Sequence, residues 1–340
     1  MNVQKLIETA KILVADYKGL LAMDESNPTC NKRFAKLGIP QTEEARRAYR
    51  ELIVTTPSLG NYISGAILYD ETIRQQKQDG TSFIKILSDA GIITGIKLDI
   101  GAKDMAGHPE EKITEGLDGL RDRLKEYVQM GARFAKWRAV ITIGDRIPSR
   151  GCIEANAQAL ARYAALCQEV GLVPIVEPEV LMDGEHTIER CYQVTEEALH
   201  TVFNHLYTQQ VMLEGMILKP NMVLSGLTCS EQASLDEVAN ATVNCLLRNV
   251  PAAVSGIAFL SGGQSSELAS ARLNAINLRF KSPWALTFSF GRAIHQPALE
   301  IWQGKEANVS KAQQALLHRA KCNWAARQGE YKAAMAGTGV

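Results

Sequence analysis

The sequence predicts an α/β protein built as a closed (β/α)8 barrel. Eight near-continuous apolar stretches of strand length recur along the 340 residues: Leu20–Met23, Ile63–Leu68, Ile92–Leu98, Phe134–Val140, Leu172–Val180, Met216–Val223, Gly256–Leu260 and Ala285–Phe290. Central residues at 22, 66, 97, 137, 176, 219, 260 and 289 lie 29 to 44 residues apart, room for one helix and two loops each time. Apolar content on both faces marks parallel strands covered by helices on both sides. Eight units favour closure. An open doubly wound sheet, typically of about five to seven strands, is the alternative.

Before the first strand, Val3, Leu6, Ile7, Ala10, Leu13, Val14 and Tyr17 fall on one helical face, which predicts an N-terminal helix over 1–18. Between strands, the spacing predicts helices over 155–169, closed by Gly171, over 187–207, and over 236–248, closed by Pro251. An Ala/Gln/Lys-rich helical run from Ser310 to about Met335 follows, within a C-terminal extension over 303–340 that ends in a mobile Gly337-Thr338-Gly339-Val340 tail. No Pro/Ser-rich linker interrupts the chain, so residues 1–340 are expected to be a single domain.

Lys+Arg and Asp+Glu both number 37, so the net charge is zero and a nucleic-acid partner is not indicated. Any anion site must come from local arrangement. Seven cysteines (30, 152, 167, 191, 229, 245, 322) without a C-x-x-C pair suggest reduced, mostly buried thiols in a reducing compartment. Met1 to Leu20 does not read as a signal peptide, and no apolar run approaches the roughly 18 residues of a membrane span. A cytoplasmic location is expected if Met1 is the native start, or the plastid stroma if a transit segment was removed.

Barrels of this kind place their chemistry at the C-terminal ends of the strands. Those ends read Asp24 in LAMDES, Lys97 in GIKLD, Lys136 and Arg138 in FAKWR, Glu177 and Glu179 in VEPE, Lys219 in ILKP, Ser261-Gly262-Gly263, and Ser289-Phe290-Gly291-Arg292. Residues two apart share a strand face, so Lys136 pairs with Arg138 and Glu177 with Glu179. Five cations and three carboxylates would converge on one mouth, a sign suited to an anionic substrate. One charged strand end is commonly just the start of a solvated loop; eight on six strands are harder to explain that way.

Lys219 follows three apolar residues and precedes Pro220, which biases it towards extended backbone. Desolvation and a neighbouring Lys136 would lower its pKa, and a neutral amine attacks a ketone or aldehyde to form a Schiff base. The bland alternative is that Lys219 merely pairs with Glu177 or Glu179. Carbinolamine formation, dehydration and carbon–carbon cleavage each move a proton, work for Glu177, Glu179 and Asp24. The loops after the last two strands are the usual phosphate site of such barrels, which Ser261, Gly262, Gly263, Gly291 and Arg292 would fit. Ser26, Thr29, Lys32 and Arg33 form a second polar cluster that either takes another phosphate or caps a helix. The six histidines show no H-x-H or H-E-x-x-H pair, so no metal is expected, and His295 reads as a structural or loop residue. No G-x-G-x-x-G follows a strand, so no dinucleotide is expected either.

LAMDES, SGAILYDET, GIKLD, FAKWR, PIVEPEV, LKPNMV, FLSGGQS and SFGRA, from about residue 20 to 295, together resemble the class I fructose-1,6-bisphosphate aldolases, and DESNPTCNKRF is closest to their photosynthetic or bacterial branch. The resemblance implies a TIM barrel lyase that is free of metal and cofactor. It implies Lys219 as the Schiff-base lysine, Glu177 as acid/base, Asp24 at the C4 hydroxyl, and Lys136 orienting the carbinolamine, with Glu179 and Arg138 in support. It also implies Ser261, Gly262, Gly291 and Arg292 at the C1 phosphate, with Gly263 and Ser289 beside them, and Ser26, Thr29 and Lys97 near the C6 phosphate. The partner would be a phosphosugar, with no nucleic acid or membrane, and the assembly a homotetramer. The muscle-type branch ends in a tyrosine implicated in enamine protonation. This chain ends Gly-Thr-Gly-Val, so either Tyr331 reaches the mouth or another group supplies the proton. A transaldolase-like Schiff-base transferase and a protein-binding scaffold are competing readings. Activity on single-phosphate donors would favour the first, and cellular function surviving Lys219→Met the second.

Overall fold

The computed structural model describes residues 3–337. Eight parallel strands close a barrel: β1 (Gly19–Met23), β2 (Ile63–Leu68), β3 (Ile93–Lys97), β6 (Phe134–Ile141), β7 (Val173–Val180), β8 (Ile217–Leu218), β9 (Gly256–Phe259) and β10 (Ala285–Phe290), with β10 returning to pair β1. This is the expected (β/α)8, or TIM, barrel. An antiparallel hairpin, β4 (Ala102–Asp104) and β5 (Lys112–Thr114), lies outside the barrel sheet; its charged, largely exposed strands offered no apolar run to reveal it.

Three of the long helices start where side chains take up orphan amides. Ser149 accepts from Cys152 N to open α7 (Arg150–Glu169), Thr187 from Arg190 N to open α8 (Ile188–Thr208), and Ser234 forms a capping box with Glu237 to open α9 (Leu235–Asn249). These agree with the spacing over 155–169, 187–207 and 236–248, α7 gaining a turn from its cap. The remaining helices are α1 (Val3–Leu13), α2 (Asn27–Ala35), α3 (Glu43–Val54), α4 (Asp70–Ile73), α5 (Phe83–Asp89), α6 (Leu120–Met130), α10 (Ser266–Arg279), α11 (Arg292–Trp302) and α12 (Val309–Arg327).

The lower barrel is filled and plugged. Leu6, Ala10 and Leu13 of α1 pack against Leu20, Ile67, Ile93, Phe134, Val173, Ile175 and Ile217. Packing there is tight: a Cβ at Gly95 would sit 2.2 Å from the Phe134 ring. With the floor apolar and closed, strand polar groups collect at the opposite end.

Three expectations need correction. The N-terminal helix stops at Leu13, because Asp16 and Tyr17 adopt positive φ and α12 caps the turn, Arg327 donating to the Val14, Ala15 and Lys18 carbonyls. The run from Ser310 to Met335 is helical only to Arg327; Gly329, at φ +76°, breaks it before a 3-10 turn over Ala333–Gly337. The expected mobile tail falls, beyond Gly337, outside the described residues. The strand expected over Met216–Val223 is paired only at Ile217–Leu218, although Lys219 N still donates to Val176 O at 2.8 Å. Pro220 brings no N–H, and Asn221 Oδ1 takes the Val180 amide at 3.1 Å, replacing the backbone ladder with a side chain.

Candidate active site

A cavity of about 660 Å³ opens at the C-terminal ends of the strands. Asp24 enters it directly after β1, Lys97 from the last position of β3, Lys136 and Arg138 from β6, and Glu177 and Glu179 from β7. Lys219 follows β8, Ser261 and Gly262 follow β9, Ser289 lies in β10, and Gly291 and Arg292 open α11. Ser26 and Thr29 reach it from the start of α2. Parallel register sets the spacing: Lys97 lies opposite Lys136, and Arg138 opposite Glu177. Gly263 alone of the expected set does not line the cavity; its amide turns outward to Met182 Sδ at 3.2 Å.

The centre is a buried alternation of charge. Lys219 Nζ is 3.1 Å from Glu177 Oε1, so the pairing raised as its bland alternative is present. Lys136 Nζ is 2.7 Å from Asp24 Oδ2, 3.5 Å from Glu177 Oε2 and 3.8 Å from Asp99 Oδ2. Lys136, Glu177 and Lys219 are at most 4% exposed, where an unpaired charge would be costly. Burial alone would push Asp24 up, but Lys136, Lys219 and Lys97 outweigh it and hold the carboxyl below its usual range. Burial alone would likewise push Lys136 down; Asp24, Glu177 and Asp99 reverse this and hold it firmly protonated. Arg138 is exposed and pairs with buried Glu179. Lys97 pairs with Asp99 at 3.4 Å.

The rim is basic. Lys32, Arg33 and Lys36 of the α2 segment add to the five cations expected from the strand ends, so eight Lys/Arg side chains face four carboxylates. Arg292 donates to Gly262 O, joining the loops after β9 and β10. Ser289 Oγ is buried with no hydrogen-bond partner among the described residues. Ser26 and Thr29 hydroxyls are 3.0 Å apart.

Sequence reasoning missed Glu25, Lys36 and Asp99. Glu25 and Asp99 each lie two residues beyond a strand end, where alternation no longer says which way a side chain points. Lys36 follows α2, and only the placement of that helix brings it to the mouth. His295 lies in α11, fully buried beside the cavity rather than in a loop. Tyr331 packs in the outer core, its amide bonded to Asn274 Oδ1 at 2.9 Å, and does not line the cavity. Six of the seven free cysteines are buried, Cys229 being the partly exposed one.

Comparison with known proteins agrees with this geometry. The family model described as fructose-bisphosphate aldolase class-I matches residues 5–339. A protein of Xanthomonas campestris pv. campestris named probable fructose-bisphosphate aldolase class 1 is 59% identical over 333 residues, covering 98% of this chain and all of its own. Fructose-bisphosphate aldolase 4, cytosolic, of Arabidopsis thaliana is 51% identical, over 96% of this chain and 84% of its own. The Plasmodium falciparum fructose-bisphosphate aldolase, solved in complex with TRAP and a small-molecule inhibitor, superposes with a TM-score of 0.96 at 48% identity, over 97% of this chain and 96% of its own. Barrel, strand-end charges and end-to-end similarity agree: the chain belongs to the class I fructose-bisphosphate aldolases, lyases that reversibly cleave fructose 1,6-bisphosphate to dihydroxyacetone phosphate and glyceraldehyde 3-phosphate through a lysine Schiff base.

Proposed function

We propose that Lys219 is the Schiff-base lysine of this enzyme and Glu177 its proton carrier. The observation that carries the reading is the 3.1 Å contact between Lys219 Nζ and Glu177 Oε1 inside a buried, charge-balanced cluster. Lys219 Nζ passes a proton to Glu177 and attacks the C2 ketone, and the carbinolamine loses its hydroxyl as water when Glu177 returns that proton. The resulting iminium withdraws the C3–C4 bonding pair. Asp24, kept ionised by Lys136, takes the C4 hydroxyl proton as that bond breaks, and the aldehyde leaves. The enamine regains a proton at C3, and water hydrolyses the iminium to free the ketone and Lys219. With Tyr331 packed away from the mouth, Glu177, reprotonated by solvent water while Asp24 returns the C4 proton to solvent, is the group whose position best suits that protonation. Lys136, held protonated, stabilises the anionic oxygens that develop, at little reorganisation cost. Glu179 keeps Arg138 oriented across the mouth.

Ser261, Gly262, Ser289, Gly291 and Arg292 take the C1 phosphate, at the pole built by the last two strand ends. Ser26, Thr29, Lys97 and Arg33 take the C6 phosphate. Comparing the two poles tests this: Arg292→Ala raises KM for fructose 1,6-bisphosphate and for fructose 1-phosphate, whereas Arg33→Ala raises it for the bisphosphate alone. Equal effects of Arg33→Ala on both substrates would contradict the assignment.

We also propose that the chain is a single domain and works as a homotetramer in the cytoplasm. The plugging of the barrel by α1 and the Arg327 bonds of α12 support the first. The resemblance supports the second, with light scattering at four times the 37.2 kDa chain mass as its check. An Arabidopsis relative named cytosolic supports the third.

A further inference from the structure

His295 is a fully buried imidazole whose hydrogen bonds assign its tautomer. Nδ1 is 3.2 Å from Arg33 Nη2 and 2.9 Å from Tyr49 Oη. A guanidinium nitrogen only donates, so Nδ1 is a bare acceptor, and Tyr49 donates to it as well. The proton therefore sits on Nε2, which is 3.1 Å from Ala22 O and 3.3 Å from Glu25 Oε1. A proton on Nδ1 would point at the Arg33 guanidinium.

Ala22, Glu25 and Arg33 line the mouth, whereas Tyr49 is buried in α3. Ala22 lies two residues before Asp24 in β1. Arg33 lines the cavity, and its other bonds go to Glu25 and to Gln296 Oε1 at 2.7 Å. Arg50 of α3 holds the second Glu25 oxygen at 2.8 Å. The His295 amide donates to Gly291 O at 3.1 Å within the first turn of α11, and its ring links that helix to Ala22 in β1 and to Arg33 of α2.

We propose that His295 is a positioning residue which, as a neutral imidazole, holds the Arg33 guanidinium and the end of β1 in place for the second phosphate of the substrate. Burial and the facing Arg33 and Arg50 charges keep it neutral, outweighing Glu25 and pushing its pKa down to about 4. It touches no reacting atom and acts through Arg33, so the proposal rests on the assignment of Arg33 to that phosphate.

Steady-state kinetics on the full-length enzyme test it. His295→Leu removes both hydrogen-bonding edges and should raise KM for fructose 1,6-bisphosphate about tenfold, as for a lost hydrogen bond to a charged group. Its effect on KM for fructose 1-phosphate and on kcat should stay under about threefold. His295→Gln offers an amide donor to Ala22 O and an acceptor to Arg33, and should restore the bisphosphate KM to within about threefold of wild type. Equal KM shifts for both substrates in His295→Leu, or no rescue by glutamine, would overturn the proposal. If Arg33→Ala raises KM selectively and His295→Leu does not, the proposal fails while the phosphate assignment stands. If Arg33→Ala shows no selectivity, both fail. Should the leucine variant not fold, 15N-histidine NMR of the wild type decides: at pH 7 His295 shows a protonated Nε2 and a bare Nδ1, and a protonated Nδ1 would overturn the proposal.

Discussion

Lys219, Glu177, Lys136 and Asp24 form one electrostatic unit, so removing a member both deletes a function and strands a charge. Lys219→Met is expected to lower kcat by about 10⁴-fold or more, with the barrel intact by circular dichroism. Glu177→Gln keeps shape and one hydrogen bond but not the transferable proton, and should lower kcat by about 10²- to 10⁴-fold in a cleavage assay. Asp24, Glu177 and Lys219 are readable from sequence because each follows an apolar run, where a charge is conspicuous; Lys136, third in the eight-residue β6, is placed by the strand face it shares with Arg138. The direct Lys219–Glu177 contact was not, since strand alternation gives a face but no distance.

Residue-level electrostatics also set an acid response. The His295 pKa falls from 6.5 to about 4 on folding, so between those values the unfolded chain binds more protons and stability is lost as pH falls. Glu25, held well below its usual 4.5 against the cost of burial by Arg50, His295 and Arg33, adds a loss in the same direction once pH drops below 4.5. Urea midpoints at pH 7.5, 6 and 5 should therefore fall more for the wild type than for His295→Gln. Parallel curves would contradict a buried neutral histidine.

Among the elements, α1 is the clearest case of a helix whose role is packing. Leu13 is fully buried in the barrel floor, and Leu13→Ala should cost about 2–5 kcal/mol in urea unfolding while leaving kcat near wild type. A kcat loss matching that of Lys219→Met would mean that the floor reaches the site. The amphipathic pattern announced this helix, but its end at Leu13 depends on Arg327, more than 300 residues away, which no local pattern contains. The shortness of β8 has a similar origin: Asn221 competes with the backbone ladder only once β7 lies beside it. The hairpin β4–β5 escaped because three-residue strands carrying Lys103, Asp104 and Lys112 have no apolar signature.

At the scale of the whole molecule, eight regularly spaced apolar runs suffice to predict closure, and closure concentrates charge at one mouth of a chain with no net charge. The basic rim is wider than the strand ends alone implied, because α2 folds Lys32, Arg33 and Lys36 over the opening. An anionic substrate is thus met by local field, not by the charge of the protein.

The central claim is that Lys219 forms the covalent intermediate. Borohydride reduction with dihydroxyacetone phosphate in excess EDTA, followed by peptide mass mapping, tests it most directly. A stable adduct on the peptide containing Lys219, lost in Lys219→Met, is the predicted result. An adduct on another lysine, or none on folded protein that still binds the ligand, would contradict it.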